Sequence, residues 1–204
     1  MRLRRFTLTL SVLLFSLLLA SPAFANTVNM QYFSNQPVSV NGTPTMLACD
    51  SFDNTIFNGE TWKANLNPFL QGISSSLFGP SMILDYKAAG LLFKATLFGG
   101  GSISATTAQW AIWGLFSANA RNQPQFTAAA AALDLQYLGL AAGAKDGAFA
   151  GLLLYTPIAG SQNFGGTPQE FIGYSAVPEP SSLMLMGTGL IGLAGTLRRK
   201  FAKA

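Results

Sequence analysis

Residues 104–119, SATTAQWAIWGLFSAN, decide the fold class of this chain of 204 residues. The apolar side chains of the segment recur at the spacing of one helical face, at Ala108, Ala111, Ile112, Leu115 and Phe116. Ser104 precedes this pattern, and a serine hydroxyl can accept a hydrogen bond from the first backbone N–H groups of a helix. The segment therefore predicts a helix near the middle of the chain.

The segments on both sides of this helix have strand character. Before it, strands are predicted over residues 27–33, 38–40, 45–49 and 61–66, with Asn41-Gly42 as a tight hairpin turn. After it, an alanine-rich helix is predicted over residues 126–142, where Gly143 can form a left-handed cap, and strands over residues 148–158 and 170–176. This β, α, β order predicts an α+β fold, with one β-rich extracellular domain over residues 26–176 and two central helices.

The N-terminus has the pattern of a secretory signal peptide. Three arginines within residues 1–5 precede an apolar stretch over residues 8–19, and Ala23-Phe24-Ala25 offers the small residues that signal peptidase requires. A membrane span is the alternative, but the apolar stretch is short for a bilayer. We expect residues 1–25 to be removed and the mature chain to begin at Asn26.

The last segment, residues 177–204, predicts a membrane anchor. Residues 181–197 are uncharged and reach the lower length limit for a transmembrane helix, and Arg198, Arg199 and Lys200 follow as a cytoplasmic stop. Ahead of the helix, Pro178-Glu179-Pro180 favours an extended strip that a processing enzyme can reach. The domain before residue 177 is therefore predicted to lie outside the cytoplasmic membrane.

These last residues resemble a PEP-CTERM sorting signal. The resemblance rests on VPEPSS at residues 177–182, on a glycine-punctuated apolar stretch and on the basic residues 198–200. In that family an exosortase, a membrane-embedded sorting enzyme, recognises the signal. The resemblance implies that the tail is cut or transferred near Pro178, Glu179 and Pro180; a plain anchor that is retained is the alternative.

Charge and composition exclude several classes of function for the domain. The chain has a formal charge of +4, but its cations gather at the two ends, and residues 26–177 carry five cations and seven acids, a net charge of −2. This balance does not favour nucleic-acid binding. Histidine is absent, which excludes Ser-His-Asp and Cys-His catalysis and histidine metal sites. No acid pair has a spacing typical of general acid–base catalysis, so we expect no enzyme, metal or cofactor.

Cys49 is the only cysteine, so no intramolecular disulfide can form in this chain. Cys49-Asp50, the AQWAIW helix at residues 108–113 and the PQEFI segment at residues 168–172 resemble three motifs of the thioester domains of bacterial surface adhesins. The resemblance implies that the side chains of Cys49 and Gln169 join with loss of ammonia. Gln109 and Trp113 would then support the site, with Gln109 as a donor to the thioester carbonyl. Ala48, Ala108 and Pro168 depart from the family motifs. Alternatively, Cys49 and the tryptophans are ordinary core residues, and Gln109 bridges a loop.

Two weaker motifs invite ligand-binding hypotheses. Asp50, Asp53 and Asn54 suggest a calcium loop, yet the acids do not alternate as calcium ligands do, and a solvated turn is favoured. Residues 99–102, GGGS, precede a helix as in a phosphate loop, but no lysine follows, and a flexible connection is favoured.

The sequence as a whole predicts an exported bacterial protein with a structural or adhesive role at the cell surface or in a biofilm matrix. The alternative is a covalent adhesin whose thioester reacts with surface amines or hydroxyls. The predicted partners are signal peptidase, exosortase, the membrane before processing, and extracellular polysaccharide or surface proteins.

Overall fold

The computed structural model describes residues 26–32, 36–175 and 188. The predicted signal peptide and, apart from residue 188, the predicted membrane segment lie outside this part of the chain. Within the described residues, no helix is both long and apolar enough to cross a membrane.

A seven-stranded antiparallel sheet forms the frame of the domain, in the order β3-β2-β1-β5-β6-β7-β4. The strands are β1 (Asn26–Gln31), β2 (Ser39–Val40), β3 (Thr43–Pro44), β4 (Leu47–Cys49), β5 (Thr61–Pro68), β6 (Leu152–Pro157) and β7 (Phe171–Tyr174). Strand β4 lies at one edge and pairs with β7, which comes from the other end of the domain. The two ends of the domain therefore meet at this edge.

Within residues 36–175, the helices all lie in the chain between β5 and β6. They are α1 (Phe69–Gly72), α2 (Ile83–Phe98), α3 (Ala105–Phe116), α4 (Ala118–Arg121) and α5 (Ala128–Gly143), with 3₁₀ turns at Ile73–Ser75, Pro80–Met82 and Asp146–Phe149. Ser104 caps α3 by accepting a hydrogen bond from the backbone N–H of Thr107, as the sequence predicts. The fold is α+β, which confirms the predicted class.

The sheet separates two hydrophobic clusters because successive side chains of a strand point to opposite faces. On the helix side, Ala48 and Ile172 belong to the main core with α2, α3 and α5. On the other side, Cys49 and Phe171 pack in a smaller cluster with residues of β1 and β5. Successive residues of β4 and of β7 therefore pack in different hydrophobic clusters.

The structure contains a third long helix, α2, so the prediction of two central helices is wrong. Six residues of α2 are buried in nearly continuous sequence, Tyr86, Ala88, Ala89, Gly90, Leu92 and Phe93. A helix buried on most sides lacks the one-sided period by which surface helices are identified. At Gly90 the ring of Phe69 leaves no room for a Cβ atom, which explains a glycine within this helix.

Two local predictions near turns also need correction. Asn41 and Gly42 form the predicted tight turn, with φ values of 49° and 80°, but the turn joins β2 to the short β3. The strand predicted over residues 45–49 is shorter and pairs with β7 instead. Gly143 forms no left-handed cap: it is the last residue of α5, and the capping residue Ala144 has an ordinary φ of −74°.

Candidate functional site

Cys49 and Gln169 come together at the sheet edge formed by β4 and β7. The strand register places Cys49 opposite Phe171, and Gln169 precedes Phe171 by two residues. Gln169 lies just ahead of β7, and its side chain bonds to the loop that follows Cys49, so both residues lie at the same end of the β4–β7 pair. The topology thus joins two residues that the sequence separates widely.

The side chain of Gln109 in α3 forms two hydrogen bonds with the main chain of Cys49. Its Nε2 donates to the carbonyl oxygen of Cys49 over 2.6 Å, and its Oε1 accepts from the Cys49 backbone N–H over 3.2 Å. The amide of Gln109 thereby supplies the two hydrogen bonds that a further strand would give to an edge residue. The predicted support by Gln109 thus acts on the Cys49 main chain, and its donor is occupied there.

Aromatic rings cover Cys49, whose side chain is 6% exposed. Trp113, one helical turn after Gln109, packs against the cluster that contains Cys49. The ring centroids of Phe52 and Trp110 lie 5.3 Å and 5.0 Å from that of Trp113. The indole N–H of Trp113 is buried without an acceptor in full hydrogen-bond geometry, and its effect on the pKa of Cys49 places it beside the thiol. The aromatic residues around Cys49 therefore include one donor near the sulfur.

The side-chain amide of Gln169 is held by the loop that follows Cys49. Its Nε2 donates to the carbonyl oxygen of Asn54 over 2.8 Å and to that of Ser51 over 3.4 Å. Asn54 in turn donates to the carbonyl oxygen of Pro168. The loop therefore fixes the nitrogen that would leave if the acyl group of Gln169 were transferred to a thiol.

Burial suppresses ionisation of the Cys49 thiol. Desolvation, with a further contribution from the charge of Asp50, raises the pKa of Cys49 to about 12, although Trp113 and Ser51 oppose this increase. The thiolate is the nucleophilic form of cysteine. At neutral pH this thiol therefore needs a nearby group to take its proton before it can attack.

A buried carboxyl pair lies directly beside the cysteine and the glutamine. Asp50 follows Cys49, Glu170 follows Gln169, and both acids have 0% of their surface exposed. The backbone N–H of Asp50 donates to the carbonyl oxygen of Glu170 over 3.3 Å. Sequence analysis missed this pair because the two acids lie far apart in the chain and only the β4–β7 pairing brings them together.

The two carboxyls have very different surroundings. Glu170 accepts hydrogen bonds from the Tyr86 hydroxyl, from Thr156 Oγ1 over 2.7 Å and from the Leu77 backbone N–H over 3.0 Å. Neither oxygen of Asp50 has a partner at hydrogen-bonding distance. Burial, and then the charge of Glu170, raises the pKa of Asp50 well above its ordinary value. Burial and the charge of Glu170 thus favour the protonated form of Asp50, while three donors surround the carboxyl group of Glu170.

The residues of the calcium hypothesis do not converge. Asp50 is fully buried, so the favoured solvated turn is wrong for this residue. Asp53 accepts a hydrogen bond from Asn119, and Asn54 donates to Pro168. In the glycine segment, Gly100 and Gly101 adopt φ values of 65° and 81° in an exposed turn ahead of α3. These residues act as loop and turn elements.

The residues of the sorting signal, Pro178, Glu179, Pro180, Arg198, Arg199 and Lys200, lie outside the described residues. Comparison with curated proteins and with solved structures gave no significant match to this chain. Residues 176–200 match the family model of the PEP-CTERM protein-sorting motif. The chain therefore carries a PEP-CTERM motif, which implies an exported protein that an exosortase processes after transient anchoring in the membrane.

Proposed function

We propose that this exported protein is a covalent adhesin whose reactive group is an internal thioester between Cys49 and Gln169. The observation that carries the proposal is the meeting of three separate segments at one sheet edge. Strand β4 supplies the thiol, the residues before β7 supply the amide, and α3 supplies Gln109 and Trp113. These are the residues that the resemblance to thioester domains names, although Gln109 bonds the Cys49 main chain and is not free to donate to the thioester carbonyl.

The chemistry proceeds in two steps. First, Sγ of Cys49 bonds to Cδ of Gln169, the bond from Cδ to Nε2 breaks, and the thiol proton leaves with the nitrogen as ammonia. Second, an amine or hydroxyl on a partner surface attacks Cδ, the C–S bond breaks, and the attacking group's proton restores the thiol. The partner then remains joined to Gln169 by an amide or ester bond. Each molecule reacts once, so the protein is not a turnover enzyme.

The surroundings suit storage of such an electrophile. The thioester would lie behind the rings of Trp113 and Phe52, where water has little access to it. The amide of Gln109 already forms hydrogen bonds with the Cys49 main chain. The indole N–H of Trp113, which has no acceptor in full hydrogen-bond geometry, is therefore the better donor to the thioester carbonyl. Gln109 holds the strand that carries the sulfur.

The location of the protein agrees with this role. A signal peptidase would remove residues 1–25, the C-terminal helix would hold the chain in the membrane, and the exosortase would then process it near Pro178 to Pro180. The domain would meet extracellular polysaccharide or surface proteins of its own cell or of a neighbour. These are the surfaces that offer hydroxyls and amines to a thioester.

A noncovalent structural or adhesive role is the second candidate. The amide of Gln169 already donates to two carbonyl oxygens, and Cys49 is packed in an apolar cluster. The fold is therefore complete without a covalent link between them. In this case Cys49 is a core thiol and the protein binds its partners by surface contacts alone.

Methylamine uptake distinguishes the two candidates. The exported protein is purified and its intact mass is measured before and after incubation with methylamine under native conditions. A thioester adds one methylamine for each chain and frees the Cys49 thiol, which iodoacetamide then alkylates after unfolding. Cys49→Ala and Gln169→Ala abolish the uptake, whereas Gln162→Ala, which changes a glutamine bonded within its own loop, leaves it unchanged. No uptake by the folded wild-type protein would support the noncovalent role.

A further inference from the structure

Formation of the proposed thioester requires a proton to leave Cys49 and a proton to reach Gln169. The thiol is protonated at neutral pH because burial raises the pKa of Cys49 to about 12. The amide nitrogen must gain a proton to depart as ammonia. This section rests on the proposed function and concerns the groups that carry the proton between these two atoms.

Ser51 contacts both of the reacting groups. Its Oγ lies 3.8 Å from Sγ of Cys49, and its carbonyl oxygen accepts a hydrogen bond from Nε2 of Gln169 over 3.4 Å. The hydroxyl oxygen also accepts a hydrogen bond from the backbone N–H of Glu170 over 2.8 Å. This contact fixes the oxygen beside the sulfur and leaves the hydroxyl proton available to move.

The carboxyl pair can accept or release one proton without exposing a charge to solvent. Glu170 is held by three donors, while Asp50 is buried with no hydrogen-bond partner for either of its oxygens. A buried carboxyl without a partner is costly to a fold, so it needs a reason. Ser51 follows Asp50 in the chain and its Oγ lies 2.8 Å from the backbone nitrogen of Glu170, so the hydroxyl lies beside the pair, and it lowers the pKa of Asp50.

We propose that Ser51 and the Asp50–Glu170 pair form a proton relay for the Cys49–Gln169 reaction. As the C–S bond forms, the thiol proton passes to Oγ of Ser51, the Ser51 hydroxyl proton passes to Asp50, and Asp50 passes its own proton to Glu170. As the C–N bond breaks, the pair returns one proton through Ser51 to the departing nitrogen. The pair ends with the single proton it held at the start.

The positions of the residues define their separate roles. Glu170 faces the helix side of the sheet, where Tyr86 and Thr156 contact it, whereas Cys49 packs on the other side. Ser51 is therefore the catalytic residue that touches the reacting atoms, and Asp50 and Glu170 act through it. The titratable groups that face the pair are Cys49 from β4 and Tyr86 from α2.

The relay is tested by the rate at which the thioester re-forms in folded protein. Concentrated ammonia opens the thioester and restores the thiol and the amide; after rapid desalting, the loss of ammonia is followed by intact mass. General acid–base groups contribute about a hundredfold or more to such steps. We expect Ser51→Ala and Asp50→Asn to slow re-formation by about a hundredfold, and Asp50→Glu to recover part of the rate.

The pH profile separates a proton role from a structural one. The rate at which the wild-type protein re-forms the thioester should change over the pH range in which the Asp50–Glu170 pair ionises. Asp50→Asn should shift or remove this change. Asp53→Asn is the matched control, because this acid bonds Asn119 outside the pair, and it should leave both the rate and the profile unchanged. Thermal unfolding of each variant verifies that the fold is retained, and Glu170→Gln provides a second probe if Asp50→Asn does not fold.

Two failures can be told apart in this experiment. If the wild-type protein never takes up methylamine or loses ammonia, the proposed function is wrong and the relay is overturned with it. If the wild-type protein forms the thioester and the folded Ser51→Ala and Asp50→Asn variants match its rate and pH profile, the relay alone is overturned.

Discussion

Replacing Gln109 by alanine tests the contact that fastens the site to helix α3. The substitution removes two hydrogen bonds, of 2.6 Å and 3.2 Å, from the main chain of Cys49. Each bond contributes about 1 kcal/mol net, and a partly buried backbone group left without a partner adds to the loss. We therefore expect the free energy of unfolding to fall by about 2–3 kcal/mol.

The loss is measured by urea unfolding of the purified domain-containing protein, followed by tryptophan fluorescence and circular dichroism. For a domain of this size a loss of 2–3 kcal/mol corresponds to a decrease in Tm of about 4–12 °C. Methylamine uptake should also become incomplete, because β4 no longer holds the sulfur in register with Gln169. Gln123→Ala is the matched control, since this glutamine makes one exposed bond of 3.3 Å to Asn119.

Gln109→Glu sharpens the same test because it keeps the size of the side chain and the acceptor for the Cys49 N–H. The donor to the Cys49 carbonyl is lost, and a carboxylate oxygen lies against that carbonyl instead. We expect a loss of stability at neutral pH that is at least as large as that of the alanine variant. If both variants unfold within about 0.5 kcal/mol of the wild type, the contact does not hold the edge strand and the reasoning is refuted.

Three further predictions concern other parts of the chain. Burial raises the pKa of Asp134 from 3.8 to about 7, so between these values the folded state binds a proton that the unfolded state has lost. The contribution of Asp134 to the free energy of unfolding should therefore fall as the pH rises from 4 to 7. Asp134→Asn should remove this part of the pH dependence in unfolding titrations. Gly90→Ala should destabilise the fold by about 1–3 kcal/mol because the new Cβ would meet the Phe69 ring. Gly139→Ala is the control: it has open space around it and should stabilise α5 by up to about 1 kcal/mol. Equal free energies of unfolding for the two variants would contradict the packing at Gly90. Replacing Pro178, Glu179 and Pro180 by alanines should leave an unprocessed chain in the membrane fraction, and normal processing on immunoblots would show that these residues are not the sorting determinant.

The class of the fold could be predicted from the sequence because its strongest local patterns agree with the structure. The period of residues 104–119 gave the α3 helix, and Asn41-Gly42 gave a tight turn. Helix α2 could not be found in the same way, since burial on most of its sides removes the one-sided apolar period. The pairing of β4 with β7 is equally hidden, because nothing local to residues 45–49 specifies a partner more than a hundred residues away.

The candidate site was predictable only in part for the same reason. Cys49, Gln109, Trp113 and Gln169 were named through their motifs, and the structure brings them to one edge. The resemblance gave Gln109 the role of a donor to the thioester carbonyl, but its amide is bonded to the Cys49 main chain. The Asp50–Glu170 pair was missed, since no short motif contains both acids and their meeting depends on strand register.

The most direct test of a Cys49–Gln169 thioester is the intact mass of the native exported protein beside that of its Cys49→Ala variant. We expect the wild-type chain to be lighter than its sequence requires by one ammonia, and the variant to have its full expected mass. Proteolysis under mildly acidic conditions should then yield one peptide pair joined through these two residues. A wild-type chain of full mass, with Cys49 alkylated only after unfolding, would contradict the covalent adhesin and identify Cys49 as a core thiol.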